Sequence, residues 1–212
     1  MNVRNLIFDF GNVLFDLDLP RIPQGFQQLL VDQYQEAWEK LARNQVFELY
    51  ETGGLTSAEF IDALRFSASP ALSAEAVVTV WNSIFLDMSR ERLDMLTNLR
   101  QNYKVYLLSN INEMHEHWIA DYMLRTHGVT HFESTFFDGV YYSHLLRLRK
   151  PDREIYEYVL ADAEMKPEQT LFFDDLEVNI QAANALGIRG VVHPLGTEII
   201  THVEHYTSIG KK

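Results

Sequence analysis

Apolar positions along the chain fall into two rhythms. Short unbroken runs occur at LIFDF (6–10), KVYLLS (104–109), GVYYS (139–143), TLFFD (170–174) and GVVH (190–193). They lack the alternation of a half-exposed strand, so they predict strands buried on both faces, as in a parallel sheet. Between them apolar residues recur at helical spacing. SRERLDMLTNLRQN (89–102) sets Leu93, Leu96 and Leu99 on one stripe, PDREIYEYVLADA (151–163) places Pro151 at a first helical position, and VNIQAANALG (178–187) ends on the C-capping Gly187. Strands alternating with helices of this length predict an α/β fold, a doubly wound, Rossmann-like parallel sheet.

The alternation stops once. From 20 to 88 only helical patterns occur: QGFQQLLVDQYQEAWEKLA, then VFELYETGGLTSAEFIDALRF, then SAEAVVTVWNSIFL. Gly53-Gly54 breaks the middle one, and Thr56 with Glu59 three residues later forms a capping box that restarts it. An all-helical insertion of this length exceeds an ordinary strand-to-helix loop. The chain therefore divides into 20–88 and a core made of 1–19 and 89–212. Phe26, Tyr34, Trp38, Phe47, Tyr50, Phe60, Trp81 and Phe85 are expected to form the insertion's own small core. TSIGKK at the end of the sequence reads as a soft tail.

Charge and composition narrow the function. A net charge of −12 disfavours nucleic acid, whose phosphates are met by clustered Lys and Arg. With no cysteine there is no thiolate nucleophile, disulfide or Cys-bound zinc. No run reaches the ~20 apolar residues of a membrane span, and MNVRNLIF has no signal-like apolar stretch. The expectation is a cytoplasmic, monomeric protein with no membrane partner.

The candidate chemistry lies where apolar runs meet polar residues. In open parallel sheets ligands bind beyond the C-terminal strand ends. The first run ends at Asp9, the second at Ser109-Asn110 and the fourth at Asp174-Asp175, while Lys150 follows the third. Each has a local alternative: Asp175, Ser109 or Asn112 can simply cap a helix. Jointly, three convergent carboxylates repel unless a cation sits among them. An all-oxygen donor set selects a hard ion, and Mg²⁺ fits best. Lys150 precedes a helix N-terminus, where the dipole disfavours a cation, so an anion is expected nearby. Ser109 and Asn110 offer donors to phosphoryl oxygens. The set suits a phosphoryl group, with Asp9 as nucleophile and an aspartyl-phosphate as intermediate. The basic cluster Arg147, Arg149 and Lys150 reads as phosphate attraction. His115/His117 and His202/His205 do not read as metal pairs.

FDFGNVL, LLSN, RKPD and FFDDLEVNIQAA, in that order, resemble the four motifs of the haloacid dehalogenase superfamily, most of whose members are Mg²⁺-dependent phosphatases. The resemblance implies metal ligation by Asp9, the backbone carbonyl of Gly11, and Asp175 or Asp174. It also implies catalytic roles for Asp9 and Lys150, with Ser109, Asn110 and Lys150 on the phosphate and a small phosphate ester as substrate. Asn112 and Asn179 support the site, Asn179 by orienting a metal-bound water. The insertion would be a cap that opens and closes, with Glu51 and Trp81 as candidate substrate contacts.

The sequence departs from the family at Gly11. Most phosphatases of the family have a second Asp there, as general acid/base, a role typically worth ~10²–10⁴-fold. Its work passes to Asp16, Asp18, Glu113 or His115, or the leaving group needs little protonation, or the protein mainly binds. DxGNV together with SNIN looks like the glucose-1-phosphatase type of sugar phosphatase, which favours an anomeric sugar 1-phosphate. Two alternatives stand beside this reading: metal-independent 2-haloacid dehalogenation, which has no use for the double acid of FFDD, and a catalytically weak phosphate- or protein-binding module.

Overall fold

The computed structural model describes residues 3–67 and 72–207. The expected tail, beyond Thr207, lies outside the described residues. Along the chain, β1 (Asn5–Phe8) is followed by the short β2 (Asp16–Leu17). Five helices come next: α1 (Arg21–Leu30), α2 (Tyr34–Arg43), α3 (Val46–Glu51), α4 (Ser57–Ser67) and α5 (Ala74–Trp81). After β3 (Phe85–Asp87) the strand–helix alternation resumes with α6 (Arg90–Leu99), β4 (Lys104–Ser109), α7 (Glu113–Tyr122) and α8 (Phe132–Phe136). It continues with β5 (Gly139–Tyr142), α9 (Ser143–Leu146), α10 (Arg153–Asp162), β6 (Thr170–Asp174), α11 (Glu177–Asn184), β7 (Arg189–Val192) and α12 (Ile199–Tyr206).

Among the described residues the main sheet is β5-β4-β1-β6-β7, parallel throughout. Its unbroken apolar runs follow from burial on both faces. Leu6, Phe8, Val105, Leu107, Leu171 and Phe173 pack into one core cluster, while Ile7, Tyr106, Leu108 and Phe172 pack into another on the opposite face. β1 lies centrally between β4 and β6, so the three strands that end in Asp9, Ser109 and Asp174 are adjacent.

Helices begin and end as their local chemistry dictates. Ser89 and Asn112 accept hydrogen bonds from backbone amides to cap α6 and α7. Thr56 and Glu59 form the expected reciprocal box at the start of α4. Gly187, with φ +84°, follows α11. Pro151 differs from expectation: α10 starts at Arg153, with Asp152 at its N-cap, and Pro151 stands outside the helix on a cis peptide with Lys150.

The helices between 21 and 81 pack around Phe26, Leu41, Tyr50, Phe60, Leu64 and Trp81, with Tyr34, Trp38 and Phe47 partly buried against them. Two features of 20–88 differ from the sequence reading. Residues 85–87 form a strand, pairing antiparallel with β2. Phe85 belongs to the main core, where it stacks on Trp118 at 4.6 Å. Both elements of this ribbon are too short to register as a period. Arg92 fixes it: buried on α6, it binds the Leu14 carbonyl at 3.1 Å, Asp16 at 2.8 Å and both oxygens of Glu198 at 3.1 Å. Among the described residues no helix is long and apolar enough to cross a membrane.

Candidate active site

The C-terminal ends of β1, β4 and β6 border a cavity of about 340 Å³. The turn after β1 lays Asp9, Gly11 and Asn12 along its floor, the loop after β4 supplies Ser109, Asn110 and Asn112, and Lys150 closes it from the loop before α10.

Lys150 is buried and its ammonium lies 2.7 Å from Asp9 Oδ1 and 2.6 Å from Asp174 Oδ2. Asp9 Oδ1 also accepts from the Phe10 amide at 2.7 Å. Burial dominates and pushes the Asp9 carboxyl up to about 7; Lys150 opposes this and Asp174 adds to it. Asp175, half-buried, is raised as well, chiefly by burial. Each of Asp9, Asp174 and Asp175 offers an oxygen, and the three oxygens lie within 4.8 Å of one another. Three carboxylates against one ammonium is an unbalanced set, and a hard divalent cation fits the deficit.

Asp174 is saturated by protein partners. It accepts from Lys150, from Asn179 Nδ2 at 2.9 and 3.0 Å, and from the Leu176 amide at 2.9 Å. Asp175 borders the cavity and takes a bond from Asn12 Nδ2 at 3.2 Å. Two supporting amides, Asn179 and Asn110, border the same cavity. Asn179 donates its amide Nδ2 to both oxygens of Asp174. Asn110 is paired reciprocally with the Lys150 backbone at 2.9 Å in both directions. Ser109 is buried at the cavity edge.

Asn112 does more than cap α7. Its Oδ1 accepts from the Trp81 indole N–H at 3.3 Å, and its Nδ2 meets His115 Nδ1 at 3.1 Å. Trp81 therefore borders the cavity with its N–H already engaged, stacked between Phe47 and His115. Glu51 also borders the cavity and is ion-paired with Arg149 at 3.3 Å.

Of the four residues considered for the missing acid, three lie elsewhere. Asp16 pairs with Arg92, Asp18 with Arg21, and Glu113 with Ser57. His115 does border the cavity, but its ring nitrogens meet Asn112 and the Trp81 carbonyl, and burial lowers its pKa to about 4. It is neutral near pH 7 and fully engaged, hence a poor acid. The space beside Gly11 is filled: a Cβ there would stand 2.6 Å from Leu17 Cδ1. The Leu17 backbone amide donates to Asn12 Oδ1 at 3.2 Å.

Asn12 and Leu17 carry no role in the sequence reading, and Arg149, there read as phosphate attraction, pairs with Glu48 and Glu51. Asn12 had a signal, since Asn readily adopts the positive φ of 55° found there. Leu17 had none, because its approach to Gly11 depends on the β2–β3 pairing.

A model of the haloacid dehalogenase-like hydrolases matches residues 3–187. The chain belongs to the haloacid dehalogenase-like hydrolase family. It is 30% identical over 185 residues to the D-ribitol-5-phosphate phosphatase of Bacteroides thetaiotaomicron, covering 87% of this chain and 89% of that one. It is 28% identical over 193 residues to a sesquiterpene phosphatase of Aspergillus oryzae, covering 87% of each. A solved HAD family enzyme of B. thetaiotaomicron, in complex with magnesium and inorganic phosphate, superimposes with TM-score 0.81 at 32% identity, covering 92% of this chain and 96% of that one. The expected family, hydrolase class and doubly wound core of this haloacid dehalogenase-like protein all hold.

Proposed function

We propose that the protein is a Mg²⁺-dependent phosphomonoesterase acting on a small phosphorylated sugar or polyol, with sugar 1-phosphates favoured. The observation that carries this reading is Lys150 bridging Asp9 and Asp174 while a third carboxylate, Asp175, faces the same cavity. The magnesium and phosphate bound by the B. thetaiotaomicron enzyme support it, as do the phosphatase activities of the two relatives.

Asp9 Oδ attacks phosphorus, the P–O ester bond breaks, and the leaving oxygen departs with the electron pair and takes a proton from solvent. Water then attacks the aspartyl-phosphate, releasing phosphate and restoring the carboxylate. Lys150 and Ser109 hold phosphoryl oxygens, Asn110 fixes Lys150, and Asn179 fixes Asp174. Asp9, the Gly11 carbonyl and Asp175 are the residues that would hold Mg²⁺, with Asp174 behind them. The ion supplies charge neutralisation for the transferring phosphoryl group. The saturation of Asp174 by its own partners favours Asp175 as the direct ligand.

The preference for sugar 1-phosphates rests on Leu17 filling the space beside Gly11, since an anomeric oxygen needs less protonation on leaving than an alkyl one. The D-ribitol-5-phosphate activity of the bacterial relative makes polyol 5-phosphates the competing class. The helices between 21 and 81 act as the cap, and Glu51 and Trp81 bring it to the substrate. The proximity of Asp174 and Asp175 to Asp9 supports metal-assisted phosphoryl transfer over metal-free dehalogenation.

The test is hydrolysis of p-nitrophenyl phosphate with Mg²⁺, with EDTA, and by Asp9→Asn. Turnover that needs both Mg²⁺ and Asp9 is expected; no turnover on this easily cleaved ester would sink the enzymatic reading. A panel of hexose 1- and 6-phosphates and pentitol 5-phosphates then decides the substrate, and equal rates on 1- and 6-phosphates would count against the anomeric preference.

A further inference from the structure

Arg149 directly precedes Lys150, and its guanidinium reaches α3, 3.3 Å from Glu48 and 3.3 Å from Glu51. Both distances are long for charge-assisted hydrogen bonds, which run at ~2.7–2.9 Å. Arg149 Nε is buried and has no partner among the described residues. Donors and acceptors are thus gathered at the wall where Arg149 and Glu51 border the cavity, without being satisfied by one another. Burial raises the Glu51 carboxyl, with Arg149 opposing the rise.

The position of Glu51 is fixed by backbone contacts that bypass its side chain. The Ser143 hydroxyl donates to the Glu51 carbonyl at 2.7 Å and is tied to both the amide and the carbonyl of Ile111. Gly53, at φ +66°, lies so close to the His144 carbonyl that any Cβ would collide with it. The end of α3 is therefore seated on Ser143 and His144 at the start of α9, which are themselves bonded to Ile111 in the loop after β4. Backbone contacts thus join the two segments without the Glu51 carboxylate, whose ion-pair partner, Arg149, borders the same cavity.

We infer that Arg149 and Glu51 together form a hydroxyl-recognition site that determines specificity, reading carbon-bound hydroxyl groups beyond the phosphate. Arg149 donates to a hydroxyl oxygen and Glu51 accepts from a hydroxyl proton, a pairing suited to neighbouring hydroxyls on a sugar or polyol chain. Leu17, Leu19, Ile22, Ile84 and Phe85 also line the cavity and offer apolar surface to the carbon face. This rests on the phosphatase reading and names what selects its substrate.

The experiment compares a pentitol 5-phosphate with n-pentyl phosphate, which has the same carbon chain and leaving position but no hydroxyls. The wild-type protein should favour the pentitol ester in kcat/KM by at least about tenfold, since a site built to bind hydroxyls rejects the analogue lacking them. Glu51→Gln and Arg149→Met should each remove most of that preference, mainly through KM of the pentitol ester. Equal wild-type rates on the two esters would overturn the inference without any variant. So would a parallel fall on both esters in the variants, the signature of a latch between segments. Absence of p-nitrophenyl phosphate turnover by the wild type would instead sink the phosphatase reading beneath it.

Discussion

The Lys150 ammonium sits 2.6 Å from Asp174, and both side chains are sealed from solvent. A buried pair of this kind adds little net stability when intact, because desolvation offsets the attraction, but breaking it leaves a charge without a partner. Lys150→Met is expected to abolish phosphate-ester turnover and destabilise the fold by about 3–5 kcal/mol. Urea denaturation checks this; a loss below ~1 kcal/mol would show that the carboxylates simply take up protons.

Asp9 carries the opposite expectation. Its carboxyl is raised from 3.8 to about 7, mainly by burial, so the folded protein holds a proton that the unfolded chain has lost. Its ionisation therefore lowers stability, progressively from pH 3.8 to about 7. In EDTA, Asp9→Asn should be inactive yet at least as stable as wild type at pH 7.5, and the gap should shrink toward pH 4.5. Thermal melts at the two pH values decide it.

Asn12 spans Leu17 and Asp175 from a left-handed turn. If Asp175 is a metal ligand, Asn12→Ala should weaken Mg²⁺ binding by about 10–100-fold, as removal of a ligand's supporting partner typically does. The readout is the Mg²⁺ concentration needed to raise the melting temperature. Unchanged affinity would place the metal on other residues.

His115 contributes a pH dependence of its own. Its folded pKa is lowered from 6.5 to about 4 by burial. The unfolded chain takes up the proton first, so the stabilisation is full above 6.5 and is lost as pH falls toward 4. The slope reaches at most about 1.4 kcal/mol per pH unit. Unfolding free energies at pH 7 and pH 5 should fall more for wild type than for His115→Gln; parallel falls would mean the imidazole titrates normally.

Much of the core was legible because its signals are local. A strand buried on both faces must be apolar at every position, as LIFDF and TLFFD are, and a carboxylate ending such a run stands out. The Thr56–Glu59 box and the left-handed Gly187 are likewise short-range, and both appear as expected. Pro151 misled because helix propensity places Pro at a first turn, whereas the chain here turns before α10 begins.

By itself, then, the sequence determined the strand–helix order, the helical insertion and the set of acids and the lysine at the strand ends, all read from spacing along one stretch of chain. Only the tertiary structure decided the partners of those side chains: Asn110 on the Lys150 backbone, Asn179 on Asp174, Leu17 against Gly11, and Arg149 facing Glu51. Apart from Asn179, only five residues from Asp174, these contacts join residues that strand order, the β2–β3 pairing or the packing of α3 against the core brings together. Such meetings depend on packing and loop closure between distant elements, which leave no period in the residues that make them.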